Sequence, residues 1–198
     1  MSRVVHPIEA ESYEILRSRV DTSSFPPLTR AVIERVIHST ADVSLLDEIV
    51  CDEITLTVAA EALWNGARIV ADVGMVAAGI TSRPVVSLVA SPEAAALAAS
   101  AGITRSAAAV RLALAHVGPG AVWAIGCAPT ALMELLALAD MAAPVLVVGM
   151  PVGFVGAVES KVALRESGLP AVSNRSEKGG SSMAAAVVNA LLYAEELS

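Results

Sequence analysis

Few residues in this chain combine chemical range with suggestive placement. His38 closes a stretch of helical periodicity and opens His38-Ser39-Thr40-Ala41-Asp42. A helix C-terminus favours an imidazolium, and the ordinary histidine pKa of about 6.5 lets the ring give up and recover a proton near neutrality. His38 is therefore the candidate acid, set against the plainer reading of a polar helix end. Thr81-Ser82-Arg83-Pro84 puts two hydroxyls beside a guanidinium ahead of an apolar run. Thr104-Arg105-Ser106 opens a helix, with Thr104 placed to cap it and Arg105 beside the free N–H groups. Lys178-Gly179-Gly180-Ser181-Ser182, a glycine turn before the last helix, is a second candidate anion cradle. Each alone reads as capping chemistry; together they suit a ligand with several separate carboxylates. His6, next to Pro7, and His116, before a Gly-Pro-Gly turn, carry no signal.

Several chemistries have no foothold. No Ser-His-Asp order, paired-carboxylate motif or HExxH is present, and the spacing of Gly149, Gly153 and Gly156 does not match a dinucleotide fingerprint or a phosphate loop. Cys51 and Cys127 lie far apart without CxxC spacing, so neither a disulfide nor a metal site is expected. The net charge is −7, from 13 Lys plus Arg against 20 Asp plus Glu, which excludes a general surface for nucleic acid. An anionic ligand must then be met locally. Every cation except Lys161 and Lys178 is arginine, whose planar fork suits carboxylates.

The elements that must position these groups follow from periodicity. Short β-rich runs at 68–71, 85–90, 121–125, 144–148 and 170–173 alternate with helical stretches at 92–101, 104–116, 130–139, 155–167 and 181–196. Strands alternating with helices predict βαβ crossovers and a mostly parallel sheet covered on both faces. Before Arg68 the chain reads as helices at 7–19, 28–39 and 52–65, the last closing at Gly66, with 43–50 either a strand or a short helix. The expected fold class is α/β: a single three-layer domain over residues 1–198, with a mostly parallel central sheet and an N-terminal helical segment. Ligands in such sheets bind beyond the carboxyl ends of the strands. The chain is 55% hydrophobic yet only 3% aromatic, with a mean hydropathy of +0.66. Its two long uncharged stretches, 112–133 and 141–158, are broken by glycines and prolines, and residues 1–7 hold no signal-peptide core. No membrane partner is expected, and the reading is a soluble cytoplasmic protein.

Seven segments, in order, carry a resemblance. They are 6–15 (HPIEAESYEI), 36–39 (VIHS), 72–81 (DVGMVAAGIT), 104–108 (TRSAA), 128–132 (APTAL), 149–161 (GMPVGFVGAVESK) and 178–181 (KGGS). Together they resemble the precorrin-8X methylmutases of cobalamin biosynthesis over nearly the whole chain, and 149–161 is the most specific block. The resemblance implies a homodimer of α/β subunits with active sites near the subunit interface. It implies movement of a methyl group from C11 to C12 of the corrinoid ring, giving hydrogenobyrinate. His38 then matches the histidine that protonates the macrocycle and promotes a [1,5]-sigmatropic shift. Ser12, Thr81 and Arg105 match ligand-contacting positions, while Arg83 and Lys178 are added from charge and placement. The sequence departs from the family pattern at Cys127, where Asn is common, and at 173–177, where Gly and basic residues are usual. An intramolecular shift needs no second substrate, metal or redox cofactor. Cobalt-precorrin-8 of the anaerobic route is the alternative substrate, and a non-catalytic corrinoid-binding protein the alternative of another class. A nucleotide-binding α/β enzyme is disfavoured by the missing phosphate loop.

Overall fold

The computed structural model describes residues 6–194. Helix α1 (Pro7–Arg19) begins on a proline, where the missing N–H leaves no bond unmade, and His6 Nδ1 accepts the Ile8 N–H as its cap. Helix α2 (Pro27–Thr40) uses a proline start again and ends on Ala41 in the left-handed region, φ 54°. The ambiguous stretch 43–50 turns out to be both candidates in succession: a 3-10 turn at Val43–Asp47, then strand β1 (Ile49–Val50). Helix α3 (Glu53–Trp64) is capped by the Asp52 carboxylate on the Thr55 N–H, and Gly66 follows its end at φ 91°.

The alternating part runs β2 (Ile69–Ala71), α4 (Gly74–Gly79), β3 (Val85–Val86), α5 (Pro92–Ala101), α6 (Arg105–Val117) and β4 (Val122–Ile125). It continues α7 (Pro129–Ala137), α8 (Ala139–Ala142), β5 (Leu146–Gly149), α9 (Ala157–Glu166), β6 (Ala171–Asn174) and α10 (Ser181–Tyr193). The strands form one sheet in the order β1-β6-β5-β4-β2-β3, parallel throughout except for the antiparallel edge pair β1–β6. Four boundaries differ from the periodicity. The 85–90 run pairs over two residues only, and the 130–139 helix divides at Leu138. Helix α9 starts at Ala157 because Gly156 sits at φ 75°, and 74–79 is a helix rather than a strand-end loop. The last two residues of the expected 181–196 helix lie outside the described ones.

Alternation along the strands divides the core. Ile69, Ala71, Val122, Ala124, Leu146 and Val148 face one layer, made by α1 to α4 and α10. Val70, Trp123, Ile125 and Val147 face the other, made by α6, α7 and α9. The apolar excess of the sequence is thus used inside a doubly covered sheet. No helix of the described residues is long and apolar enough to cross a membrane. Helix α10 is buried from Met183 to Leu192 and packs on α2, α3 and α4. Its alanines permit close approach: a Cβ on Gly79 would stand 2.7 Å from the Ala185 Cβ. Asn189, in the same helix, donates from Nδ2 to the Gly79 carbonyl at 2.8 Å.

Helix α1 needs a different attachment, since its only buried residue is Leu16. Glu34 on α2, 3% exposed, receives Arg17 in a forked contact (Nη2 to Oε2, 2.7 Å), Arg30 Nε at 2.9 Å and the Thr22 hydroxyl. Burial by itself would raise the pKa of this carboxyl, but the bonds from Arg17, Thr22 and Arg30 outweigh it and hold the value at about 2 against an ordinary 4.5. A depressed carboxylate pKa contributes stability above the unfolded value and loses it as pH falls through the folded one, here between 4.5 and about 2. The shift corresponds to roughly 3 kcal/mol. Glu34→Gln should lower the unfolding free energy at pH 7 by about 2–3 kcal/mol in urea titrations. It should also flatten the loss of stability that the unaltered protein shows on acidification through that window.

Candidate active site

His38 lies in the last turn of α2, three residues before the Ala41 cap. Helix α1 crosses this end and brings two consecutive residues to the imidazole. The Ser12 hydroxyl is 2.9 Å from Nδ1, and the Tyr13 ring stacks on the imidazole with centroids 4.9 Å apart and planes inclined by 10°. Among the described residues no group bonds Nε2. Ser12 thus engages one ring nitrogen and leaves the other without a partner among the described residues.

Two recesses meet at the Ser12–His38 pair. One, of about 440 Å³, is lined by His6, Ile8, Glu9, Ser12, Arg35 and His38. The other, about 100 Å³, adds Ile15, Arg19, Ile37 and Val43 to the pair. Its walls are aliphatic with a guanidinium at the rim, a combination that suits an apolar body carrying an acidic side chain. Arg35 is held by Glu9 at 3.5 Å, with its guanidinium carbon 4.6 Å from the centre of the Tyr193 ring. Burial pushes the Tyr13 phenol up, and the charge of Arg35 opposes that shift. Thr81 Oγ1 lies 3.4 Å from the Tyr193 hydroxyl. Contacts therefore run from Thr81 through Tyr193 to Arg35, which lines the larger recess together with His38. Tyr13, Arg19, Arg35 and Tyr193 were not singled out by the sequence, although Arg35 precedes His38 by one helical turn and Tyr13 adjoins Ser12.

The remaining expected residues stand elsewhere. Lys178 Nζ contacts Asp42 Oδ2 and Ser44 Oγ, each at 2.7 Å, just beyond α2. The Lys178 bond, with help from Ser44, holds the Asp42 carboxyl at about 2, so this lysine is matched within the chain. Part of the turn around it is engaged within the chain. The Gly180 N–H donates to the Met150 carbonyl, the Lys178 N–H meets Ser176 Oγ, and the Ser176 and Lys178 carbonyls turn inward to Lys161. Lys161 is fully buried, with Asn174 Oδ1 as a third acceptor, and burial lowers its pKa to about 8. Arg83 is exposed between α4 and β3. Arg105, also exposed, is the first residue of α6, where Thr104 caps the Ala107 N–H at 3.1 Å and donates to Thr130 Oγ1 at 2.9 Å. The chain thus joins Ser12 to His38 directly, and Thr81 through Tyr193 to Arg35 of the same recess. It does not bring Arg83, Arg105 or Lys178 into that contact network.

The crevice between β2 and β4, where the strand order reverses, is already filled. Asp72 Oδ1 accepts from Gly126 N at 3.0 Å, and Oδ2 from Cys127 N and Ala128 N, both at 2.8 Å. Related sheets leave such N–H groups to a ligand phosphate; here a protein carboxylate takes all three. Cys127 contributes its backbone to this contact, while its side chain is exposed. Among the described residues no three His, Cys, Asp or Glu side chains form a metal-binding group.

Removing the Lys161 ammonium strands Asn174 Oδ1 and takes a charged donor from the Ser176 and Lys178 carbonyls, which keep only Asn174 Nδ2, at about 1–3 kcal/mol for a stranded group. Lys161→Met should therefore destabilise the fold by roughly 3 kcal/mol in denaturant titrations. Hydrogen exchange should rise first in residues 174–180.

A family model described as precorrin-8X methylmutase matches residues 7–194. A cobalt-precorrin-8 methylmutase of Salmonella typhimurium is 41% identical, over 94% of this chain and 93% of that one. A precorrin-8X methylmutase of a Sinorhizobium species is 40% identical, over 93% and 92% respectively. The crystal structure of precorrin-8X methylmutase from Thermus thermophilus superposes with a TM-score of 0.87 at 35% identity, covering 96% of this chain and 98% of that one. In sequence along its length and in the arrangement of its sheet and helices, this chain belongs to the precorrin-8X methylmutase family.

Proposed function

We propose that this protein is an isomerase of cobalamin biosynthesis that moves a methyl group from C11 to C12 of precorrin-8X, giving hydrogenobyrinate, with His38 as the general acid. The observation that carries the reading is the Ser12–His38 pair at the junction of two recesses, with Nε2 unbonded among the described residues. His38 lends a proton to the conjugated ring. The methyl carbon then leaves C11 as it bonds to C12, and the proton is returned, so the composition is unchanged. Ser12 holds Nδ1 and thereby aims Nε2. Arg19 and Arg35, on the two sides of His38, are placed to meet carboxylates of the macrocycle, each such bond being worth roughly 1.5–3 kcal/mol when shielded. Thr81 meets the ligand through the Tyr193 side of the site. Arg83, Arg105 and Lys178 belong to the proposal as contacts outside this network.

Relatives named for the cobalt-free and the cobalt-containing substrate are equally similar to this chain, so cobalt-precorrin-8 is the second substrate to test. A homodimer acting as one domain per chain completes the proposal. Phe154 and Val155, 97% and 89% exposed after β5, are surfaces that a second copy would cover.

Incubation of the purified protein with each corrinoid, followed by visible absorption and mass spectrometry, should give a product of unchanged mass and altered spectrum. Unchanged, tightly bound ligand would instead identify a binding protein. His38→Ala, folded by circular dichroism, should lose about 10²–10⁴ in kcat. Ser12→Ala should lose roughly 10–100-fold. Light scattering should report twice the 20.2 kDa chain mass, and a monomer would remove the dimer.

A further inference from the structure

We propose that Tyr13 is a positioning residue for His38: its ring stack fixes the plane of the imidazole. The inference rests on the acid role proposed for His38 and deepens it. A single bond from Ser12 to Nδ1 fixes one ring atom but lets the ring swing about the bond, because the terminal torsion of histidine is broad. A parallel stack at 4.9 Å and 10° removes that freedom. The hydrogen bond acts in the ring plane and the stack acts across it, so together they set the direction of the Nε2–H vector.

Tyr13 is itself held. Arg17 stands 5.6 Å from its ring centre while forked onto Glu34. An aromatic face attracts a cation placed over it, so the contact persists when His38 is protonated. Tyr13 lines neither recess. It therefore stands behind the acid rather than against the ligand, and its loss should reach turnover without weakening binding. Productive proton transfer tolerates only about 10–20° of misalignment.

The test is a double-mutant cycle of Tyr13→Leu with His38→Ala, with Tyr13→Phe as the conservative variant. It is read by kcat, by KM for whichever corrinoid is turned over, and by the NMR shifts of the His38 ring protons in the free protein. Tyr13→Leu should lose roughly 3–10-fold in kcat with KM changed less than about twofold, and Tyr13→Phe should stay within about twofold in both. The His38 ring protons should lose their upfield ring-current displacement in the leucine variant and keep it in the phenylalanine one. In the His38→Ala background, Tyr13→Leu should cause no further loss. Tyr13→Met replaces the leucine variant should that fail to fold. A folded Tyr13→Leu with unaltered kcat, an equal loss in both backgrounds, or an effect confined to KM overturns the inference and leaves the acid role standing. Full turnover by His38→Ala removes the acid role and the inference with it.

Discussion

Helix α1 buries one side chain, Leu16, so apolar contact alone would hold it loosely. What fixes it is the carboxylate of Glu34, sunk into α2 and met by Arg17 from α1, by Arg30 one turn away and by Thr22 from the connection. A charge buried to that degree is tolerable only because its oxygens are matched. The consequence reaches the site, because Ser12 and Tyr13 both ride on α1. Half of the environment of His38 is therefore only as well placed as an ion cluster on the adjacent turns.

The sheet supports this arrangement without supplying its chemistry. Open parallel sheets usually offer a ligand the backbone N–H groups where strand order reverses. Here Asp72 closes that place by accepting from Gly126, Cys127 and Ala128. The candidate site lies instead in the helical layer over one face, against α2, which packs on the buried alanines of α10. Small side chains in α10 bring the two helices close, and α10 ends in Tyr193, whose ring meets Arg35. The same alanine content that raises the mean hydropathy thus helps to place a polar network.

Electrostatics follow a local rather than a global rule. The chain carries −7, yet Arg19 and Arg35 stand beside His38, where a carboxylate-bearing ligand would meet them. Other cations are spent internally. Lys161 gathers three oxygens from the turn before α10, and Lys178 ties that turn to Asp42 beyond the end of α2. Arg83 and Arg105, exposed on one chain, remain available to whatever lies outside it.

The sequence by itself determined the alternating strands and helices, the helix end at Gly66 and the cap at Thr104, the candidacy of His38 and the family. Periodicity and capping are local properties, and the shared motifs run in order along the chain. It could not show that Lys178 pairs with Asp42, because a basic residue beside glycines looks alike whether its partner is a ligand or a carboxylate 136 residues away. It passed over Tyr13, Arg35 and Tyr193 because their roles depend on which helix crosses which. Only the tertiary structure decided that Ser12 bonds His38 across 26 residues and that Tyr13 stacks on it. A helical pattern states which face is buried, whereas the partner of a polar side chain is set by the crossing of two helices, and here that crossing is fixed by Glu34.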